Sequence, residues 1–101
     1  MKLLTKELQE KLPRLRDTED VPCEDKILQV KFFHPMSNWT WYGVEYDPDE
    51  RLFWGLVDGD FVEWGYFSLA ELESVRVIGL GVERDLYFRP CKVGDLTLRG
   101  Q

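Results

Sequence analysis

Residues 39–47 read Trp39-Thr40-Trp41-Tyr42-Gly43-Val44-Glu45-Tyr46-Asp47, and the next five are Pro48-Asp49-Glu50-Arg51-Leu52. The first run is rich in aromatic and β-branched residues, which suit a pleated, half-buried surface. Asp47-Pro48-Asp49-Glu50 then stops it, because proline pre-sets φ and aspartate bonds the local backbone. Leu52 to Val57 is a second strand pattern, Asp58-Gly59-Asp60 a second tight turn, and Phe61 to Phe67 a third strand. Short loops between consecutive strands predict an antiparallel meander. Working backwards, Ile27 to His34 alternates Leu28, Val30 and Phe32 with Gln29 and Lys31, and predicts a strand that extends the sheet. Simple alternation puts Trp39, Trp41, Gly43 and Glu45 on one face. Thr40, Tyr42, Val44 and Tyr46 take the other.

The flanks are weaker in pattern. Thr5 is a fair helix N-cap before residues 6–12, which Pro13 ends, and Leu4, Leu8 and Leu12 mark one apolar stripe. Residues 13–25 form an acidic connector. Ser68-Leu69-Ala70-Glu71 fits a capping box and opens a short helix over 69–74. Residues 75–80 are ambiguous, 83–89 predict a last strand ended by Pro90, and 91–101 carry no clear pattern. The class is α+β: a single domain built on one antiparallel sheet, a meander of four to six strands, with one or two short helices.

The chain has 101 residues, a net charge of −6 and 14% aromatic residues. Residues 17–25 hold five acidic side chains and no basic one. Residues 41–75 hold nine acidic side chains against Arg51 alone, and ten aromatics lie between Trp39 and Phe67. Such a charge argues against a generic phosphate-backbone binder. No apolar run is long enough for a membrane-spanning helix. The N-terminal residues lack the apolar stretch and cleavage site of a signal peptide, so a cytoplasmic protein is expected. Cys23 and Cys91 are far apart in sequence and are expected as free thiols, since small secreted domains usually carry several bridges.

Catalytic patterns are thin. His34 is the one histidine, and no nucleophile-elbow pattern exists. One histidine and two separated cysteines give no zinc spacing, and the turn carboxylates do not match a calcium loop. Gly79-Leu80-Gly81 is no nucleotide fingerprint. No catalytic residue, metal or cofactor is expected. A binding role fits better. Asp47, Asp49, Glu50, Asp58, Asp60 and Glu63 surround two turns and are expected to present one acidic row to a basic protein surface. Tyr42, Tyr46 and Trp64 are the candidate ring contacts, through cation–π and interface packing. A second reading is a nucleic-acid accessory module that stacks single strands on an aromatic sheet face. A third is a small hydrolase or sugar-binding protein with paired carboxylates.

Several strings are distinctive: Lys31-Phe32-Phe33-His34-Pro35, Asn38-Trp39-Thr40-Trp41-Tyr42, Glu45-Tyr46-Asp47-Pro48, Glu63-Trp64-Gly65-Tyr66-Phe67-Ser68-Leu69 and Glu83-Arg84-Asp85-Leu86-Tyr87-Phe88. By these the chain resembles the bacterial domain-of-unknown-function family 2958. The resemblance implies a small protein of bacterial genomes, plasmids and mobile elements, with no assigned activity, cofactor or catalytic residue. By analogy it suggests an anti-defence inhibitor, acting on a CRISPR or restriction complex.

Overall fold

β-formers and turn residues alternate down the chain, and the elements follow them. The computed structural model describes residues 2–96. In chain order the elements are α1 (Lys6–Lys11), β1 (Ile27–Leu28), β2 (Val30–Phe33), β3 (Thr40–Asp47), β4 (Leu52–Asp58), β5 (Val62–Ser68), α2 (Leu69–Ser74), β6 (Glu83–Arg84) and β7 (Cys91–Lys92). The main sheet is antiparallel, in the order β5-β4-β3-β2-β6. Beside it, β1 and β7 form a two-stranded ladder that pairs Leu28 with Cys91. This is an α+β fold. Both helices start on side-chain caps: Thr5 Oγ1 accepts from Leu8 N–H at 3.2 Å, and Ser68 Oγ from Glu71 N–H at 3.2 Å.

The centre of the sheet contains a β-bulge. Gly43 pairs with Gly55, but Glu45 pairs with Trp54, so β3 holds one extra residue at Val44. The extra residue reverses the alternation. Tyr42 lies opposite Leu56 and Glu45 opposite Trp54 on one face, whereas Tyr46 lies opposite Phe53 on the other. Gly55 has a steric reason to be glycine: a Cβ there would sit 1.9 Å from the Tyr42 carbonyl oxygen.

Each face carries its own core. The first face holds Val30, Phe32, Tyr46, Phe53 and Phe67, covered by Leu3, Leu4 and Leu12 of the N-terminal arm, Leu69 and Leu72 of α2, and Val82. The second face buries Leu28, Tyr42, Val44 and Leu56, with half-buried Trp54, Val62, Trp64, Phe88, Val93 and Leu96 around them.

Three expectations change. The strand over 27–34 is broken at Gln29, whose N–H donates to Gly43 O at 2.8 Å as the chain passes from one sheet to the other. The strand expected over 83–89 is only Glu83–Arg84, and β7 follows it. Asp85 ends β6, with Oδ1 accepting from Tyr87 N–H at 2.9 Å and its carbonyl from Phe88 N–H at 3.3 Å. Residues 91–96 are structured as β7 and a 3-10 turn, while 97–101 lie outside the described residues. The ambiguous 75–80 segment closes on itself. Val77 and Leu80 exchange backbone hydrogen bonds at 2.8 and 2.9 Å around Ile78 and Gly79, which have φ of 54° and 76°. Positive φ at both central residues is the hairpin turn that matches strand twist.

Candidate functional site

β3 continues beyond the end of β2, so its last residues have no strand partner on that side. The connector fills the gap. Tyr46 N–H donates to Pro13 O at 2.8 Å. The bulge turns the neighbouring Glu45 onto the opposite face, where its carboxylate is buried. There Oε1 accepts from Arg16 N–H at 2.7 Å, and Oε2 from Thr18 N–H at 3.0 Å and from the Thr18 hydroxyl. A buried carboxylate is tolerated only with such donors. Lys26, also buried, donates through Nζ to the Thr18 carbonyl oxygen, and Nζ lies 5.3 Å from the Trp54 ring centre. The acidic connector is thus pinned to the sheet by a buried anion and a buried cation.

Between connector and sheet lies an open cleft of about 500 Å³. Trp54 and Tyr66 form its aromatic wall. Arg16, Glu19, Cys23, Lys26 and Glu45 complete it. Trp54 is fixed from behind by Trp64, stacked at 4.8 Å and 9°. Offset aromatic stacking of this kind holds a ring in place. Glu19 pairs with Arg16 Nε at 3.3 Å, both largely exposed, so the contact contributes little to stability. Cys23 and Cys91 are free, and burial first, then Asp95, pushes the Cys91 thiol pKa up.

The described residues 2–96 nearly coincide with a family match over residues 3–93, to the family described as protein of unknown function (DUF2958). The chain belongs to this family. No curated protein and no solved structure matches it. Within this DUF2958 chain the distinctive Trp-rich strings fall on β3 and on β5 with the start of α2, which places them at the bulge and at the cleft wall.

The six proposed carboxylates do not form one row. β4 runs from one turn to the other, and six residue steps separate its ends by about 20 Å. Asp47, Asp49 and Glu50 lie at the end shared with α2, where Leu69 N–H donates to Arg51 O at 3.0 Å. Asp58, Asp60 and Glu63 lie towards the far end. Asp58 is buried, so it offers no docking charge, whereas Asp60 and Glu63 are exposed. Asp47 serves its own turn, with Oδ1 accepting from Asp49 N–H at 2.9 Å.

The ring contacts need a similar correction. Tyr42 and Tyr46 are both buried, on opposite faces, because the bulge breaks the alternation that would have placed them together. Burial is the main cause that raises both phenol pKa values. Trp64 is half-buried and supports Trp54 instead of facing outward alone. The exposed ring of this wall is Tyr66. Sequence pattern assigns no site role to Glu45, Lys26, Trp54 or Tyr66. Glu45 had one signal: a carboxylate within a run of aromatics, which a buried strand accepts only with partners.

Among the described residues, no cluster of three or more histidine, cysteine or acidic side chains is placed to hold a metal ion. His34 is buried, with Nδ1 accepting from Met36 N–H at 3.0 Å and Nε2 donating to Leu80 O at 2.9 Å, so both ring nitrogens hold structure. Among the described residues no helix is long and apolar enough to cross a membrane.

Proposed function

We propose that this DUF2958 protein is a non-enzymatic, cytoplasmic binding protein that docks on a basic protein surface through one end of its sheet. One observation carries the reading. Glu45 and Tyr46 pin the connector beside β3, which brings exposed Asp17, Glu19 and Asp20 to the same end as exposed Asp49 and Glu50. The cleft with Trp54 and Tyr66 opens beside them. Carboxylates grouped at one end raise the encounter rate with a basic partner, and exposed rings add cation–π and apolar contact. The buried carboxylate of the cleft, Glu45, is occupied by its three donors, which supports binding over hydrolysis. Analogy with other small proteins of mobile elements extends the proposal to a partner class: a nucleic-acid-handling complex, with the protein as an anti-defence inhibitor.

The test is fluorescence anisotropy with a labelled arginine-rich peptide over a range of salt. The wild type binds, more weakly as salt rises. The combined Asp17→Lys, Glu19→Lys, Asp49→Lys and Glu50→Lys variant loses at least about tenfold in affinity, or roughly 1.4 kcal/mol. The Asp60→Lys, Glu63→Lys variant keeps it. Equal binding by both variants, or none by the wild type, overturns the reading. Tighter binding of labelled single-stranded DNA than of the peptide would favour the nucleic-acid module instead.

A further inference from the structure

Among the described residues β5 is an edge strand: β4 pairs along its whole length, and no strand follows on the other side. Among the described residues no backbone hydrogen bond from another segment reaches its outer edge. The usual guards of such an edge are charged side chains, lysine above all, proline, a bulge or a covering segment, and here the one charge is Glu63. Val62-Glu63-Trp64-Gly65-Tyr66-Phe67-Ser68 has neither lysine nor proline, and its register with β4 is unbroken. Large apolar side chains are exposed beside it, with Phe61 77% and Tyr66 61% accessible.

We propose that two copies of the chain pair antiparallel through β5, with Gly65 of each on the twofold axis, to make one continuous ten-stranded sheet. The strand is self-complementary about that residue. Gly65 is the midpoint of Val62–Ser68, so a pairing centred there uses the full edge. Trp64 then faces Tyr66 of the second copy on the cleft side, and Tyr66 faces its Trp64. Aromatic cross-strand pairs are among the favourable ones. The strand's single charge, Glu63, lies opposite Phe67 of the second copy, four residue steps from the other Glu63. That is about 13 Å, beyond the screening length of about 8 Å at physiological salt. On the other face nothing lies within 4 Å of a Cβ built at Gly65, so the axis is uncrowded. An isologous contact of this kind closes as a dimer. The proposal leaves the carboxylates of the basic-partner reading untouched and shares only Tyr66 with its cleft, and its test reads the mass of the assembly, not peptide binding.

Sedimentation equilibrium of the full chain tests it, together with two variants at the axis. The wild type has twice the 12.0 kDa chain mass. Gly65→Lys has room for its Cβ in the monomer but sets like charges directly opposite each other in the pair, so it sediments as a folded monomer. Gly65→Cys, in a Cys23→Ser, Cys91→Ser background, forms a disulfide-linked dimer under mild oxidation, since opposed residues of antiparallel strands have Cα atoms about 4.5–5.5 Å apart. A wild type that stays monomeric up to millimolar concentration overturns the proposal. So does a dimer in which Gly65→Cys fails to cross-link.

Discussion

Phe53 lies 5.4 Å from Phe32, 4.5 Å from Tyr46 and 5.0 Å from Phe67 between ring centroids, and the N-terminal arm and α2 close over the group. One residue further along β4, on the opposite face, Trp54 stacks on Trp64 but is covered by a polar connector that leaves a cleft. Both faces are aromatic. The first is sealed by apolar side chains, and its rings serve packing. The second is only partly sealed, and its cover is held by hydrogen bonds to Glu45 and Lys26. Aromatic content alone therefore does not mark a binding face. What marks it is the chemistry of the segment laid over the rings.

The largest effect expected from this contrast is between Phe53→Ala and Tyr66→Ala. Phe53 is fully buried, and its truncation removes three ring contacts and leaves a cavity. The cost is about 3–5 kcal/mol. Tyr66 is mostly exposed, and its loss changes stability by no more than about 0.5 kcal/mol. Urea unfolding of both variants measures the difference. If Tyr66→Ala costs as much as Phe53→Ala, the two faces are equally structural and the division fails.

A smaller effect is expected from Glu45→Ala. It removes the acceptor for the Arg16 and Thr18 amides and leaves Lys26 without a nearby buried anion. Donors stranded in this way cost about 1–3 kcal/mol. Hydrogen exchange locates the damage. Protection falls at Arg16, Thr18 and the rest of the connector, while amides of β4 around Phe53 keep theirs. Equal loss at both places would show that the connector and the sealed core unfold as one unit, and the contrast would be one of chemistry without a difference in local stability.

How much of this was legible from the sequence differs between the two faces for the same physical reason. The turns at Asp47–Glu50 and Asp58–Asp60, the strand over 52–57 and the Ser68 cap rest on neighbours in sequence, and pattern alone locates them. The sealed face follows, since Leu4, Leu8 and Leu12 repeat along one stripe. The open face depends on one inserted residue at Val44, which reassigns Tyr42, Glu45 and Tyr46 at once. A bulge leaves no local signature beyond Gly43, because it is decided by close approach to Gly55 and by what Glu45 finds in the connector, 27 and 29 residues away. The expectation of a single carboxylate row failed on geometry of the same sort: two turns close in sequence lie at opposite ends of the strand that joins them.

The bulge also separates two tyrosines of one strand, and their titration gives the smallest predicted effect. Burial raises the pKa of both phenols. For Tyr42 the next causes, Asp58, Cys91 and Asp85, raise it further, whereas for Tyr46 the next cause, Arg51, lowers it. A phenol whose folded pKa exceeds its unfolded value of about 10 contributes fully to stability below that pH. Above it the unfolded chain releases its proton first, so the contribution is lost as pH rises towards the folded value. Tyr42 on the open face, where Asp58, Cys91 and Asp85 add to the effect of burial, is therefore expected to be the larger source of alkaline destabilisation. Tyr42→Phe flattens the fall of the urea midpoint between about pH 9 and about pH 11 more than Tyr46→Phe does. The reverse order would place the stronger desolvation on the sealed face and the compensating charge outside it, and Arg51 would then have no hold on Tyr46.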